Sequence, residues 1–212
     1  MSVRSSILTL TIVVRVAVAG FAATLAIGLA GCSPRPAEVN EPGSYAAANS
    51  SDCLPALTLV DQHGRDVPLV SLKGRPVLID FIYTTCPGPC PLMTARMAAV
   101  AKLLGPKLGK QVAFVSISID PEHDRPAELE QYARARGADE TGWFFLTGTP
   151  AQIDRVLALY HLERSRNPEG TVNHAVMSFL LGPDGHQVRQ YQPLEVKASA
   201  VVADIDRVLG RS

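Results

Sequence analysis

The sequence has no excess of either charge: 20 Lys and Arg stand against 20 Asp and Glu in 212 residues. A balanced chain carries no electrostatic footprint for a polyanion, which argues against a nucleic-acid partner and against a membrane surface held by charge alone. Internal repeats are absent. Cysteine is scarce, with four in the whole chain, so each can be weighed singly. A hydrophobic content of 47% suffices for a core, and the length suits one domain with appendages.

The long apolar run that would mark a membrane span is also missing. Val16 to Ala30 is apolar and small, but it falls short of the ~20 residues a span requires. Arg4 supplies a positive start, and Leu29-Ala30-Gly31-Cys32 closes the run with a pattern resembling a bacterial lipobox. Residues 1–31 are therefore expected to be a lipoprotein signal peptide, cut before Cys32, whose thiol would carry diacylglycerol. The alternative is an uncleaved N-terminal transmembrane anchor from Ile7 to Ala30 with Arg15 inside it. Either places the domain in the bacterial periplasm, tied to a membrane. Residues 32–52 are rich in Pro, Ala, Asn and Ser without apolar periodicity, and are expected to form a flexible tether.

Residues 53–212 are expected to form the folded domain. Leu57–Val60 and Val67–Val70 predict a hairpin around Gly64. Val77–Tyr83 and Val112–Ile119 predict buried strands, and Leu92–Leu104 and Ala127–Arg136 predict helices. Trp143–Leu146 predicts a short strand. Thr149-Pro150-Ala151-Gln152 has the form of a capping box opening a helix to about Tyr160. Ala175–Leu181 and Val188–Tyr191 predict a second hairpin, and Ala198–Leu209 a closing helix. Strands alternating with helices imply an α/β fold with a central mixed sheet and helices on both faces.

Cys86-Pro87-Gly88-Pro89-Cys90-Pro91 lies between the Val77 strand and the following helix. Pro91 suits the first helical position, which puts Cys90 where the helix dipole favours a thiolate. Such a turn suits redox or metal chemistry better than a structural disulfide. A reactive dithiol after an early strand makes the expected fold thioredoxin-like, with the first hairpin as an N-terminal extension. A peroxidatic site would need Pro-x-x-x-Thr-x-x-Cys, but Ile79 and Tyr83 occupy the required positions. Two thiolates suit Cu(I) or Zn as soft donors, or close a disulfide. The stretch Thr171–Leu181 lacks the proline that precedes the corresponding strand in thioredoxin-like oxidoreductases, and carries His174 there instead. An imidazole at that spot would complete a three-ligand site, which copper accepts and zinc would extend with a fourth ligand.

Taken together, Tyr83–Pro91, the turn Asp120-Pro121-Glu122-His123-Asp124, Leu146-Thr147-Gly148, and His174 followed by Gly182-Pro183-Asp184-Gly185 resemble the Sco/SenC family of copper-binding proteins. The resemblance covers most of Leu54–Leu209. It implies that Cys86, Cys90 and His174 hold one copper per chain, as Cu(I) or Cu(II). It further implies delivery to the CuA centre of cytochrome c oxidase subunit II, or reduction of that centre's cysteines as a thiol-disulfide oxidoreductase. Another periplasmic copper chaperone or a thiol reductase would be further partners. Two positions depart from the family pattern: Gly88 replaces a common acidic residue, and Ala175 a common hydroxyl residue.

The remaining candidates have plainer explanations. Met93 and Met97 stand at helical spacing and are expected in the core, and Met177 is a weaker thioether candidate. His63, His161 and His186 are expected on the surface, and His123 in an exposed turn. Asp120, Asp124 and Arg125 either tune the site or simply form the turn. Cys53 is expected to stay reduced, with a mixed or intermolecular disulfide as the lesser option.

Overall fold

The computed structural model describes residues 53–139 and 141–210; the expected signal peptide, Cys32 and the tether lie outside that range. The described chain opens with an antiparallel hairpin, β1 (Thr58–Asp61) and β2 (Asp66–Pro68). Next come β3 (Val77–Ile82), α1 (Pro89–Leu104), β4 (Ala113–Ser118) and α2 (Pro126–Ala135). β5 (Trp143–Thr147) and α3 (Pro150–Leu159) follow, then two short strands, β6 (Ser165–Arg166) and β7 (Val172–Asn173). β8 (Ser178–Leu181), β9 (Gln187–Tyr191) and α4 (Ala198–Leu209) complete the fold.

Seven strands form one mixed sheet in the order β2-β1-β5-β4-β3-β8-β9. β3, β4 and β5 run parallel at its centre, and the flanking pairs are antiparallel. Every residue of β3 and β4 is buried, which explains their near-continuous apolar sequence: central strands must satisfy two covered faces. Alternation puts Leu78 and Asp80 of β3 on one face, and Ile79 and Phe81 on the other. On the first face, Leu78 borders a small cleft with Met97 and Val100 of α1 and Val201 of α4. Tyr132 of α2 meets Thr94 of α1 there, hydroxyl to hydroxyl at 2.9 Å. On the second face, the Phe81 ring lies 5.5 Å from Tyr160, just past α3, and 6.1 Å from Phe179 of β8. Helices thus cover both faces, as expected of the thioredoxin-like α/β fold.

Several boundaries differ from the expectation. The N-terminal hairpin is the edge of the main sheet, because Val60 and Asp61 pair with Thr147 and Leu146 of β5. α1 begins at Pro89, three residues earlier than the apolar run suggested, so Pro89 rather than Pro91 takes the first helical position. The capping box at Thr149 is present, with Gln152 N donating to Thr149 Oγ1 at 3.3 Å and Thr149 N to Gln152 Oε1 at 2.7 Å. The strand expected from Ala175 starts only at Ser178. The small hairpin β6–β7, a separate two-stranded sheet, carried no sequence signal: four short polar-rich positions show neither alternation nor an apolar run.

Candidate metal centre

β3 delivers the dithiol. Past Ile82 the chain turns through Tyr83–Gly88 into α1, with Cys86 N donating to the Tyr83 carbonyl at 3.3 Å. Cys90 then falls in the first helical turn, its N–H directed at Cys86 Sγ 3.5 Å away. Pro89 loses nothing at the first helical position, since that N–H has no intrahelical partner. A side chain at Gly88 would meet nothing within 4 Å, so its departure from the family pattern is not steric in origin. Both thiols are free. Cys86 is 7% exposed and Cys90 fully buried.

The helix start does not make Cys90 a ready thiolate. Burial pushes its thiol well above the ordinary cysteine range, and the hydrogen bond with Cys86 adds to the shift. Removing the sulfur from water costs the anion more than the helix dipole returns. Any ion or disulfide formed there must therefore displace a proton. Tyr83 seals the same spot: burial, and then its hydrogen bond with Cys86, push its hydroxyl up to about 12.

His174 follows β7 and approaches the dithiol from that strand. Its Nε2 lies 3.9 Å from Cys90 Sγ, and its ring stands edge-on to Tyr83 with centroids 6.2 Å apart. Nδ1 lies 2.8 Å from the Ala175 carbonyl oxygen. A carbonyl only accepts, so Nδ1 holds the ring proton and Nε2 turns its lone pair towards the sulfur. Burial lowers the imidazole's pKa, only partly opposed by the Ala175 contact, which keeps the ring neutral. The structure thus brings together Cys90 and His174 directly, and Cys86 through the Cys90 N–H. Among the described residues, no three His, Cys, Asp or Glu side chains already stand at metal-binding spacing.

The sequence matches the SCO1/SenC family over residues 46–210. The chain belongs to that family. Among solved structures, a SCO1/SenC family lipoprotein from Bacillus anthracis matches at a TM-score of 0.69 and 26% identity, over 75% of this chain and 96% of its own. Bradyrhizobium japonicum ScoI with copper bound matches at 0.65 and 30%, over 74% and 99%. BsSco, a Sco-family cytochrome c oxidase assembly protein with a disulfide switch, matches at 0.66 and 31%, over 82% and 99%.

In this SCO1/SenC chain the Asp120–Asp124 turn does more than reverse the backbone. Asp124 is fully buried and receives the Thr84 N–H at 3.0 Å, the Thr84 hydroxyl at 2.5 Å and the Ser118 hydroxyl at 2.6 Å. It therefore fastens the turn to the loop carrying Cys86. Asp120 accepts from His123 at 2.9 Å and from Arg166. Burial alone would raise its carboxyl, but these two partners outweigh it and hold it below the ordinary carboxylate value. His123 is thus exposed as expected, yet paired. Arg125 serves at the start of α2, its N–H donating to Glu128 at 3.2 Å.

Six further positions bear on the expectations for this family member. Met93 and Met97 are buried in the core, as expected, and Met177 packs against its edge. Cys53 is buried, and its backbone forms an isolated bridge with His186. His186, expected on the surface, is half-buried. Asp80 was overlooked. It is fully buried on the α1 side of β3, neither carboxyl oxygen has a hydrogen-bond partner, and burial raises its carboxyl to about 7 against a smaller opposing effect of Ser116. Its signal was visible: one acid interrupting the apolar run Val77–Tyr83.

Proposed function

We propose that this chain is a periplasmic copper metallochaperone, which binds one copper through Cys86, Cys90 and His174 and passes it to the CuA site of cytochrome c oxidase subunit II. The observation that carries this reading is the Nε2 lone pair of a neutral, oriented imidazole facing a buried free thiol. For bond lengths of about 2.3 Å to sulfur and 2.0 Å to nitrogen, a shared ion in trigonal geometry spans about 3.7 Å. The Cys90–His174 separation of 3.9 Å is close to that span and long for a direct hydrogen bond. Two sulfurs and one nitrogen form a soft-to-borderline donor set, suited to copper in either valence. Copper-bound Bradyrhizobium japonicum ScoI, and an oxidase assembly role in the family of BsSco, support the cargo and the client.

Residues 1–31 fit a signal peptide, and residues 32–52 a tether from lipidated Cys32. The Bacillus anthracis lipoprotein supports that anchoring, and no described helix is long and apolar enough to cross a membrane. Mass spectrometry of the native protein is expected to find a chain starting at lipidated Cys32. An unmodified chain starting at Met1 would instead establish the uncleaved anchor. A second function, thiol-disulfide exchange on client cysteines, is favoured by two free thiols four residues apart, at the turn into α1.

His174→Ala separates the two functions. The reduced full chain is expected to retain Cys86–Cys90 redox cycling and some Cu(I) binding, and to lose its Cu(II) thiolate charge-transfer absorption. Cells carrying the variant should fail to load CuA when copper is limiting. Normal absorption with normal oxidase activity would remove His174 from the site and leave the oxidoreductase.

A further inference from the structure

The copper reading rests on a histidine carried by a segment with little apolar attachment to the body. Among residues 165–173, Val172 alone is buried. The β6–β7 hairpin is braced mainly from within: Asn173 Nδ2 donates to Asn167 Oδ1 at 2.8 Å, and Asn167 N to the Thr171 carbonyl at 2.8 Å. Between this hairpin and the body lies an open polar cleft of about 270 Å³, bordered by Glu122, Asp154, Arg164 and Arg166. What spans the cleft is mainly ionic, with one backbone bond from Arg164 Nη1 to the Ile119 carbonyl at 3.1 Å. Arg164 binds Asp154 at 2.7 Å and Glu122 at 2.9 Å, and Arg166 binds Asp120.

These two arginines are not equivalent. Arg164 precedes β6 and holds the hairpin's base. Arg166 stands in register with Val172, two residues before His174, while Ser165 pairs with Asn173 immediately before it. Arg166 also donates to the Gly170 carbonyl at 2.9 Å, so one guanidinium joins both limbs of the hairpin to a carboxylate of the body. That carboxylate is 1% exposed while the Arg166 side chain is 36% exposed, so solvent screens the pair from the arginine side only. Asp120 is itself fixed, its N–H donating to Ser118 Oγ at 3.0 Å while that hydroxyl donates to Asp124 at 2.6 Å. Asp124 then holds Thr84, two residues before Cys86. A continuous chain of contacts therefore links the histidine limb to the thiol limb: Arg166, Asp120, Ser118, Asp124, Thr84.

We infer that Arg166 is a positioning residue for the metal site. Through Asp120 it sets the register of His174 against the dithiol, without itself touching the ion. The inference rests on the proposal that His174 is a copper ligand. Loss of the Arg166 charge leaves both sulfurs in place and frees the hairpin to swing about Arg164 and Val172. Cu(II), which needs the nitrogen, should then suffer more than Cu(I). Groups that orient metal ligands from outside the site typically change affinity by about 10- to 100-fold.

The test uses the full chain, purified in detergent with its dithiol reduced, and four variants: Arg166→Met, Arg166→Lys, His174→Ala and the Arg166→Met/His174→Ala double. Arg166→Met is expected to release Cu(II) to a chelator at least about tenfold faster and to shift its thiolate charge-transfer band. Dithiol redox cycling should be unchanged, and Arg166→Lys should restore part of the difference. In the copper-free protein, Thr171–Asn173 amides should exchange faster in Arg166→Met while strand β3 amides do not. In the His174→Ala background, Arg166→Met should change Cu(II) binding no further. Unaltered Cu(II) release in Arg166→Met overturns the inference, as does an equal loss with His174 already removed. Intact Cu(II) binding by His174→Ala alone overturns the parent proposal and this inference with it.

Discussion

The two halves of the candidate centre are built by different physics. The thiol half hangs from β3 and the start of α1, where Phe81, Ile82, Cys90 and Met93 are fully buried. The histidine half hangs from β6 and β7, where polar and charged side chains supply nearly all the attachment. Apolar burial is non-directional and cooperative, and it makes a rigid support. Ionic and amide contacts at a wet surface are individually weak and separately breakable. A carrier that must both hold and release an ion benefits from one fixed limb and one that moves. In that arrangement the sulfurs stay put and the nitrogen adjusts.

The contrast implies that changes in the thiol half damage the whole fold, whereas changes in the histidine half stay local. The largest expected effect is Phe81→Ala. Its ring is fully buried between Tyr160 and Phe179, and truncation should cost about 3–5 kcal/mol in denaturant unfolding. A cost under 1 kcal/mol would mean that the β3 support is softer than argued.

Next comes the pH dependence conferred by Asp80. Its carboxyl is raised to about 7 from 3.8, so between those values the folded protein holds a proton that the unfolded chain has lost. Stability from this group is full below about pH 4, declines as pH rises to about 7, and stays low above that. The decline amounts to up to about 4 kcal/mol. Asp120, Glu122 and Asp61 have lowered carboxyls and contribute in the opposite sense at low pH, so the difference between wild type and Asp80→Asn isolates the effect. Urea midpoints at pH 5 and pH 8 should show Asp80→Asn gaining more at pH 8. Parallel profiles for the two proteins would place Asp80 in a better solvated site.

The smallest expected effect lies in the other half. Asn167→Ala removes the amide pair with Asn173 and the bond to Thr171 Oγ1 at 3.0 Å. Global stability should change by less than about 0.5 kcal/mol, while hairpin amides exchange faster by local opening. A global loss above about 2 kcal/mol would show that the hairpin is part of the cooperative core, and the contrast between the halves would disappear.

The sequence by itself determined the sheet centre, the helices and the identity of the candidate ligands. Val77–Tyr83 and Val112–Ile119 were legible because buried central strands need unbroken apolar runs, and Thr149–Gln152 because a capping box is purely local. Cys86 and Cys90 were legible because both lie in one short turn. His174 was recoverable only from its place in the expected fold, ahead of the strand beside the dithiol, and from the family resemblance. Tertiary structure decided the rest, because the deciding contacts are long-range. Cys90 lost its expected thiolate character to burial under elements far along the chain. The roles of Asp124, Asp120 and Arg166 arose from pairings across 40 and 46 positions. No local period records such pairings, since an ion pair depends on where folding brings two side chains and not on their spacing in sequence.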